Sequence, residues 1–333
     1  MKKFTFSLLL LFTNYLPLAA QTVAELQETA KTFMRQGDYT NAIVVLKRTY
    51  QMAPDNIQLA KDLALCYYFQ KDYYTGLQII NPVLDNKNAD DQCYQIAGNM
   101  YRQQDKLSDC EKLYKKALKR FADSGPLYND LGEVQLANKN TDAIKTWEKG
   151  IEVDPTYSKN YYNAAKFYFY SLDKVWALIY GEIFINMETN TARTAEIKEI
   201  LLNGYKKLFT DVDIEKANKD KTAFTVQYVQ VMNKQASLAT SGINTETLTM
   251  IRTRFIIDWF NSSNKPAFKL FDLHQQLLKE GMFDAYNQWI FTAADNLSAY
   301  ENWIKTHPAE TTQFLNFQKA RTLKMTSDQY YHK

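Results

Sequence analysis

The chain has 333 residues, 46% of them hydrophobic and 14% aromatic, with only ten glycines and seven prolines. That apolar share excludes global disorder, and so few backbone punctuators leave little room for the tight turns of a β-sandwich or a propeller. Forty basic against 37 acidic residues give a formal +3, short of the clustered excess that a phosphate-tracking protein needs, so nucleic acid is not expected as a partner.

In chain order the first element is an export signal. Lys2 and Lys3 form a positive start, Phe4 to Phe12 an apolar stretch, and Leu16-Pro17-Leu18-Ala19-Ala20 a small-residue approach to a cut before Gln21. The apolar run is shorter than the roughly 20 residues that span a bilayer, and no second such run follows, so no integral membrane segment is expected after cleavage. The alternative is an uncleaved N-terminal anchor. The Lys-Lys start and Ala-Gln junction resemble export signals of Gram-negative bacteria, which implies a periplasmic or secreted product. Removing residues 1–20 takes two lysines, so 38 basic residues face 37 acidic ones and the formal charge falls to +1.

The remaining chain repeats itself. Ala30, Ala64, Gly98, Gly132 and Ala165 are spaced 34, 34, 34 and 33 apart, and Ala42, Gly76, Cys110, Ala143 and Ala177 are spaced 34, 34, 33 and 34 apart. Phe33, Tyr67, Tyr101 and Tyr168 stand three positions after four members of the first column, with Gln135 interrupting. Small residues let two antiparallel helices approach, and a large ring one turn on fills the space beside the crossing. Each hairpin also reads as two amphipathic helices, as in Ala60, Leu63, Ala64 and Tyr67. These columns, with Gly37-Asp38-Tyr39 and Lys71-Asp72-Tyr73 in the turns and Pro54 and Pro155 closing two units, resemble the tetratricopeptide repeat. The resemblance implies an all-α superhelical solenoid with five units at about 23–56, 57–90, 91–124, 125–157 and 158–190. Asn88, Ala122 and Gly181 depart from the family pattern.

From 191 to 333 the period fades and a divergent α-helical region is expected. Ala195 to Phe209, Thr222 to Met232 and Thr245 to Phe260 read as helices, Asp211 to Lys221 as a loop, and Ala236 to Gly242 as a linker. Asn264-Lys265-Pro266 opens a helix through Leu278, the turn at Lys279 to Tyr286 marks a degenerate further hairpin, and Pro308 starts a final helix reaching to Leu323. The aromatics here, from Phe255 and Trp259 to Trp303, Phe314 and Phe317, admit two readings. Helical spacing favours a core between divergent helices; the other reading is a glycan- or peptide-binding groove.

No catalytic signature is found. His274, His307 and His332 stand apart in sequence, His332 is expected to fray, and there is no phosphate loop, dinucleotide fingerprint or nucleophile elbow. Cys66, Cys93 and Cys110 lack metal spacing and are expected to be buried free thiols, so no cofactor or metal is assigned. By family resemblance the second, fifth, ninth, twelfth and thirteenth positions of each unit face a concave groove. They include Gln27, Lys31, Met34 and Arg35, then Lys61, Leu65, Tyr68 and Phe69, then Gln95, Asn99 and Arg102, then Asn129 and Glu133, then Tyr162, Lys166, Phe169 and Tyr170. From these, Lys31, Arg35, Lys61, Tyr68, Asn99, Arg102, Tyr162 and Lys166 form the candidate site for a protein or extended peptide. With Gln27 and Lys31 where a carboxylate clamp presents Lys and Asn, recognition of chaperone tails is not supported. The expectation is a non-catalytic scaffold or adaptor of the cell envelope. The alternatives are a small-ligand binder using the aromatic C-terminal region and, more distantly, an enzyme.

Overall fold

A computed structural model describes residues 22–171, 173–210, 221–263 and 265–332; the expected export signal, almost all of the 211–221 loop, and Asn264 lie outside the described residues. Among the described residues every regular element is helical. The helices pair as α1 (Val23–Arg35) with α2 (Tyr39–Met52), α3 (Ile57–Phe69) with α4 (Tyr73–Ile80), and α5 (Asp91–Gln103) followed by α6 (Leu107–Leu118). Next come α7 (Gly125–Ala137) with α8 (Ala143–Val153) and α9 (Ser158–Tyr170) with α10 (Lys174–Met187). Beyond them are α11 (Ala192–Thr210), α12 (Ala223–Asn233), α13 (Thr245–Asn261), α14 (Lys269–Lys279), α15 (Phe283–Asn287), α16 (Leu297–Thr306) and α17 (Pro308–Ala320).

Local chemistry explains the hairpins. Thr22 and Glu25 form a capping box that starts α1. The turns then place one residue in the left-handed region at the same point of the first four hairpins: Gly37 (φ 76°), Lys71 (φ 62°), Asp105 (φ 58°) and Lys139 (φ 60°), 34 positions apart. The next amide reaches back to close the helix, as in Asp38 N–H to Phe33 O (2.9 Å), Asp72 to Tyr67 (3.0 Å), Lys106 to Tyr101 (2.9 Å) and Asn140 to Gln135 (2.9 Å). Asp38 and Asp72 then cap the second helices, accepting from the amides of Asn41 and Thr75 at 3.1 Å each. The same turn recurs between α14 and α15, where Gly281 (φ 72°) precedes Met282 N–H to Leu277 O at 2.8 Å.

The small-residue columns lie at the crossings. Ala30, Ala64, Ala165, Ala42, Cys110, Ala143 and Ala177 are fully buried. A Cβ on Gly132 would stand 2.3 Å from Trp147 Nε1, so only glycine admits that indole, whose N–H donates to Asn129 O at 3.2 Å. Gly181, a departure from the family pattern, has the same kind of reason: a Cβ there would lie 3.2 Å from both Ile197 and Leu201, where α11 approaches α10.

The chain divides into two compact units between Met100 and Tyr101. The first has a core of Ala30, Ala42, Leu46, Leu59, Leu63 and Cys66 with their neighbours. In the second, one hydrophobic core runs from Ala143 on α8 to Met325 near the C-terminus, uninterrupted at residue 190. Helix α10 is buried from Lys174 through Ile185, because α9 and α11 flank it and the C-terminal elements cover the rest.

Several local expectations change. Ala236–Ser241 is a 3-10 helix leading into α13, and Gln235 beside it is buried with its amide on Asp258 Oδ2 at 2.8 Å, so the stretch is packed and does not act as a linker. The helix expected from Pro266 begins only at Lys269, because Phe268 is extended at its N-cap. His332 does not fray: Nδ1 meets Glu148 Oε1 at 2.9 Å, Nε2 meets Tyr168 OH at 3.0 Å, and Trp176 packs edge-on to its ring. Residues 321–332 thus run back across the hairpins, with Leu323 N–H on Asn186 O at 3.1 Å and Tyr331 stacked on Phe224 at 4.7 Å.

Candidate functional site

The first helix of each hairpin carries the sequence-derived site, and most of its polar members are engaged with other side chains of the protein. In the first unit Lys31 bonds Glu28 of its own helix at 2.8 Å, and Arg35 donates to Thr32 Oγ1 at 2.9 Å. Lys61 is only 6% exposed, because Nζ donates to Asp90 Oδ2 at 2.6 Å and to Gln92 Oε1 at 3.1 Å across the hairpin boundary. Tyr68 is half-buried against Phe69 and Tyr73, and Phe69 stacks on Tyr39 at 4.6 Å. Asn99 is half-buried on α5. A buried charge held as Lys61 is held is costly to extract, so it fixes neighbouring hairpins more than it offers charge to a ligand, whereas the contacts of Lys31 and Arg35 are exposed and stay within α1.

The second unit repeats the pattern over a longer span. Arg102 donates to Glu133 Oε2 at 2.8 Å, Asn129 to Glu133 Oε1 at 3.2 Å, and Asn163 to Asn129 Oδ1 at 2.9 Å. Lys166 Nζ lies 2.6 Å from Glu196 Oε1 and donates to Tyr162 OH at 3.1 Å, while Tyr162 OH donates to Glu196. Burial opposes the charge on Lys166, yet Glu196 and Tyr162 outweigh it and hold its pKa above the usual value. Burial likewise opposes Arg102, whose pKa is held up by Glu133. The structure therefore brings Tyr162 and Lys166 together, and places Arg102 on a separate pair.

Beside these pairs is an open apolar cleft of about 470 Å³, lined by Leu136, Trp147, Asn163, Lys166, Phe167, Tyr170 and Ser171. Leu136 is 47% and Tyr170 is 80% exposed, a large aromatic and an aliphatic side chain left to water at the ends of α7 and α9. Phe169, edge-on to Tyr170 at 5.2 Å, carries Lys207 Nζ 4.3 Å over its ring. Lys207 has no carboxylate partner among the described residues. Tyr170 follows from the repeat register; Leu136 stands at the same twelfth position as Arg102, and Lys207 lies beyond the last unit, where register gives no guidance.

A second polar cluster has the residue types of an active site but not the access. Glu182 on α10 pairs with Arg252 on α13, lies 2.9 Å from His274 Nε2 on α14, and accepts from Tyr286 OH at 2.8 Å. Arg252 also donates to Asn287, and Asn186 donates to Tyr286 OH at 2.7 Å. Burial favours the neutral acid, but Arg252 and His274 outweigh it and lower the Glu182 pKa to about 2; burial lowers His274. The adjoining cavity, lined also by Tyr205 and Tyr228, has about 10 Å³ of room, enough for one water and no substrate. The signal for this cluster was Glu182 inside an otherwise apolar run, Val175 to Ile185; its partners, 70 and 92 positions away, gave none.

The three cysteines are free and buried, and burial pushes the thiols of Cys66, Cys93 and Cys110 up to about 12, 11 and 12. No group of His, Cys, Asp and Glu among the described residues has metal-holding geometry, and no described helix is long and apolar enough to cross a membrane.

Antiparallel helix pairs recurring every 34 residues, with small residues at the crossing and a left-handed residue in the turn, define an all-α helical-repeat protein. The repeat is of the tetratricopeptide type, and residues 35–117 match the family model described as anaphase-promoting complex, cyclosome, subunit 3. No curated protein matches the chain. Among solved structures the chain is similar to a tetratricopeptide repeat protein from Parabacteroides merdae, at 16% identity over 78% of this chain and 98% of that one, with a TM-score of 0.45. It is similar also to MamA from Desulfovibrio magneticus, at 12% identity over 54% and 96% with a TM-score of 0.40. Human IFIT1, solved as a dimer with PPP-AAAA, matches at 15% identity over 90% and 64%, with a TM-score of 0.41. Repeats of this kind present extended surfaces that serve generally in protein interaction.

Proposed function

We propose that the chain is a non-catalytic scaffold or adaptor of the bacterial cell envelope that holds an extended segment of a protein partner on its first-helix face. The observation that carries this reading is the open apolar cleft lined by Leu136, Phe167 and Tyr170. Because Lys61, Arg102 and Lys166 are paired within the protein, the anchor is an apolar side chain of the partner entering the cleft. The envelope location rests on the residue pattern of 1–20 alone.

A photo-crosslinking amino acid at Tyr170, in full-length protein produced in the native cell, is expected to trap a discrete partner protein, whereas the same probe at the exposed Lys145 is not. Failure of the Tyr170 probe to trap anything above the Lys145 background contradicts the reading. For location, the expected product is a chain starting at Gln21 in the periplasmic or secreted fraction; an intact N-terminus in the cytosol contradicts it.

A further inference from the structure

Away from the repeat face, the second unit holds a different kind of opening, of about 500 Å³, between the start of α13, the segment after α15, and α16. It is a size typical of small-ligand sites. Its walls are built by three local devices. Asn244 opens α13 with a capping box, and Asn296 opens α16 by accepting from Ala299 N–H at 3.0 Å. Between them the chain forms a π-helical turn at Gln288–Thr292, a rare widening of the helix that is often associated with function. That turn is held by Thr292 Oγ1 donating to Gln288 Oε1 at 2.6 Å and by the paired hydroxyls of Thr245 and Thr292 at 2.7 Å.

The chemistry of the lining is unlike that of the apolar cleft. Amides (Gln288, Asn302), hydroxyls (Thr245, Thr306) and the carboxylates Glu246 and Asp295 line it together with one large apolar group, the indole of Trp303, which is half-buried against the core. His307 stacks on one face of that indole, with centroids 4.5 Å apart and planes 6° from parallel, which fixes the ring's orientation. A site with this much polar wall is poor for an apolar side chain, and its two carboxylates disfavour a phosphate or carboxylate ligand. Asp295 is also 3.5 Å from the ammonium of Lys206. Carboxylates accept paired hydroxyls, carboxamides both donate and accept, and an indole covers a C–H-rich ring surface. That combination matches a neutral sugar.

We propose that this cleft binds a neutral oligosaccharide, with Trp303 as the stacking surface and Glu246, Asp295 and Asn302 as hydrogen-bonding partners. The site is separate from the Tyr170 cleft, so the protein carries a glycan site in addition to its protein-binding face.

The test is calorimetric titration of the full-length protein, after removal of any signal, with maltohexaose, cellohexaose and chitohexaose. Saturable binding of at least one is expected, weakened ~10-fold by Asn302→Ala or Glu246→Gln, at about one hydrogen bond each. Trp303→Ala is expected to abolish it. Asn302 and Glu246 are exposed, so their variants keep the fold where Trp303→Ala disturbs it. Leu136→Ala with Tyr170→Ala is expected to leave sugar binding unchanged, which separates this proposal from the protein-binding reading. Absence of binding for all three sugars overturns the proposal, as does binding that survives both Asn302→Ala and Glu246→Gln.

Discussion

Helices α1 to α9, where the hairpin contacts repeat, and helices α10 to α17 solve the same packing problem by different means. In the hairpins each contact is local and recurs: a small residue at the crossing, a left-handed residue in the turn, and one polar pair reaching the next first helix, as Lys61 reaches Asp90 and Arg102 reaches Glu133. From α10 onward the contacts are long-range and occur once: Glu182 with Arg252 and His274, Trp176 stacked on Phe224, and the tail residue His332 on Glu148. Repetition makes a structure tolerant of change at any one unit, whereas a single network makes it sensitive at a few points.

That contrast can be broken experimentally, and the largest effect is expected at the network. Arg252→Met leaves Glu182 buried without its cation and should cost about 3–5 kcal/mol of unfolding free energy, while the double variant Arg252→Met with Glu182→Gln should recover much of it. Chemical denaturation of the two variants beside the unaltered protein checks both. Because Glu182 titrates at about 2 when folded against 4.5 in its unperturbed state, its stabilisation is complete above pH 4.5 and is lost as the pH falls toward 2. Glu182→Gln should flatten that acid limb.

Next in size is Lys198 on α11, buried with its ammonium 3.8 Å over the Trp289 ring. Burial lowers its pKa to about 7 from 10.5, so the unfolded chain binds more protons between these values and stability rises as the pH rises through that window. Lys198→Met should stabilise the protein at pH 7 on the order of 1–3 kcal/mol and remove the slope between pH 7 and pH 10. Melting curves across that range decide it, and an unchanged slope refutes the assignment. In the hairpins, Gly132→Ala should cost about 1–3 kcal/mol by driving a methyl into Trp147. The smallest effect belongs to Lys166→Met with Glu196→Gln, a half-exposed pair whose loss should change stability by less than about 1 kcal/mol.

The hairpin half was legible in the sequence because its rules act over short distances. The spacing of Ala30, Ala64 and Gly132 and the Asp38 and Asp72 turns announce crossing and cap directly. Lys71, Asp105 and Lys139 did not announce their left-handed turns, since only Gly37 is a residue that favours that region by itself. The aromatics of the last third were legible as core: Phe255, Trp259, Phe271 and Trp289 are buried, and Trp303 and Phe317 are partly so. The face of the candidate site followed from register, but not its electrostatics. Whether Lys61 or Lys166 is available depends on Asp90 and Glu196, about 30 positions on, and only the packed structure sets those distances.

The central claim is that the polar pairs of the first-helix face tie hairpins together while the apolar cleft holds the partner. The most direct measurement is quantitative recovery of the crosslinked partner from native envelopes for two double variants, Arg102→Met with Glu133→Gln, a pair outside the cleft, and Leu136→Ala with Tyr170→Ala. The account predicts that the first retains the partner and the second loses it. Loss with the first and retention with the second would contradict it.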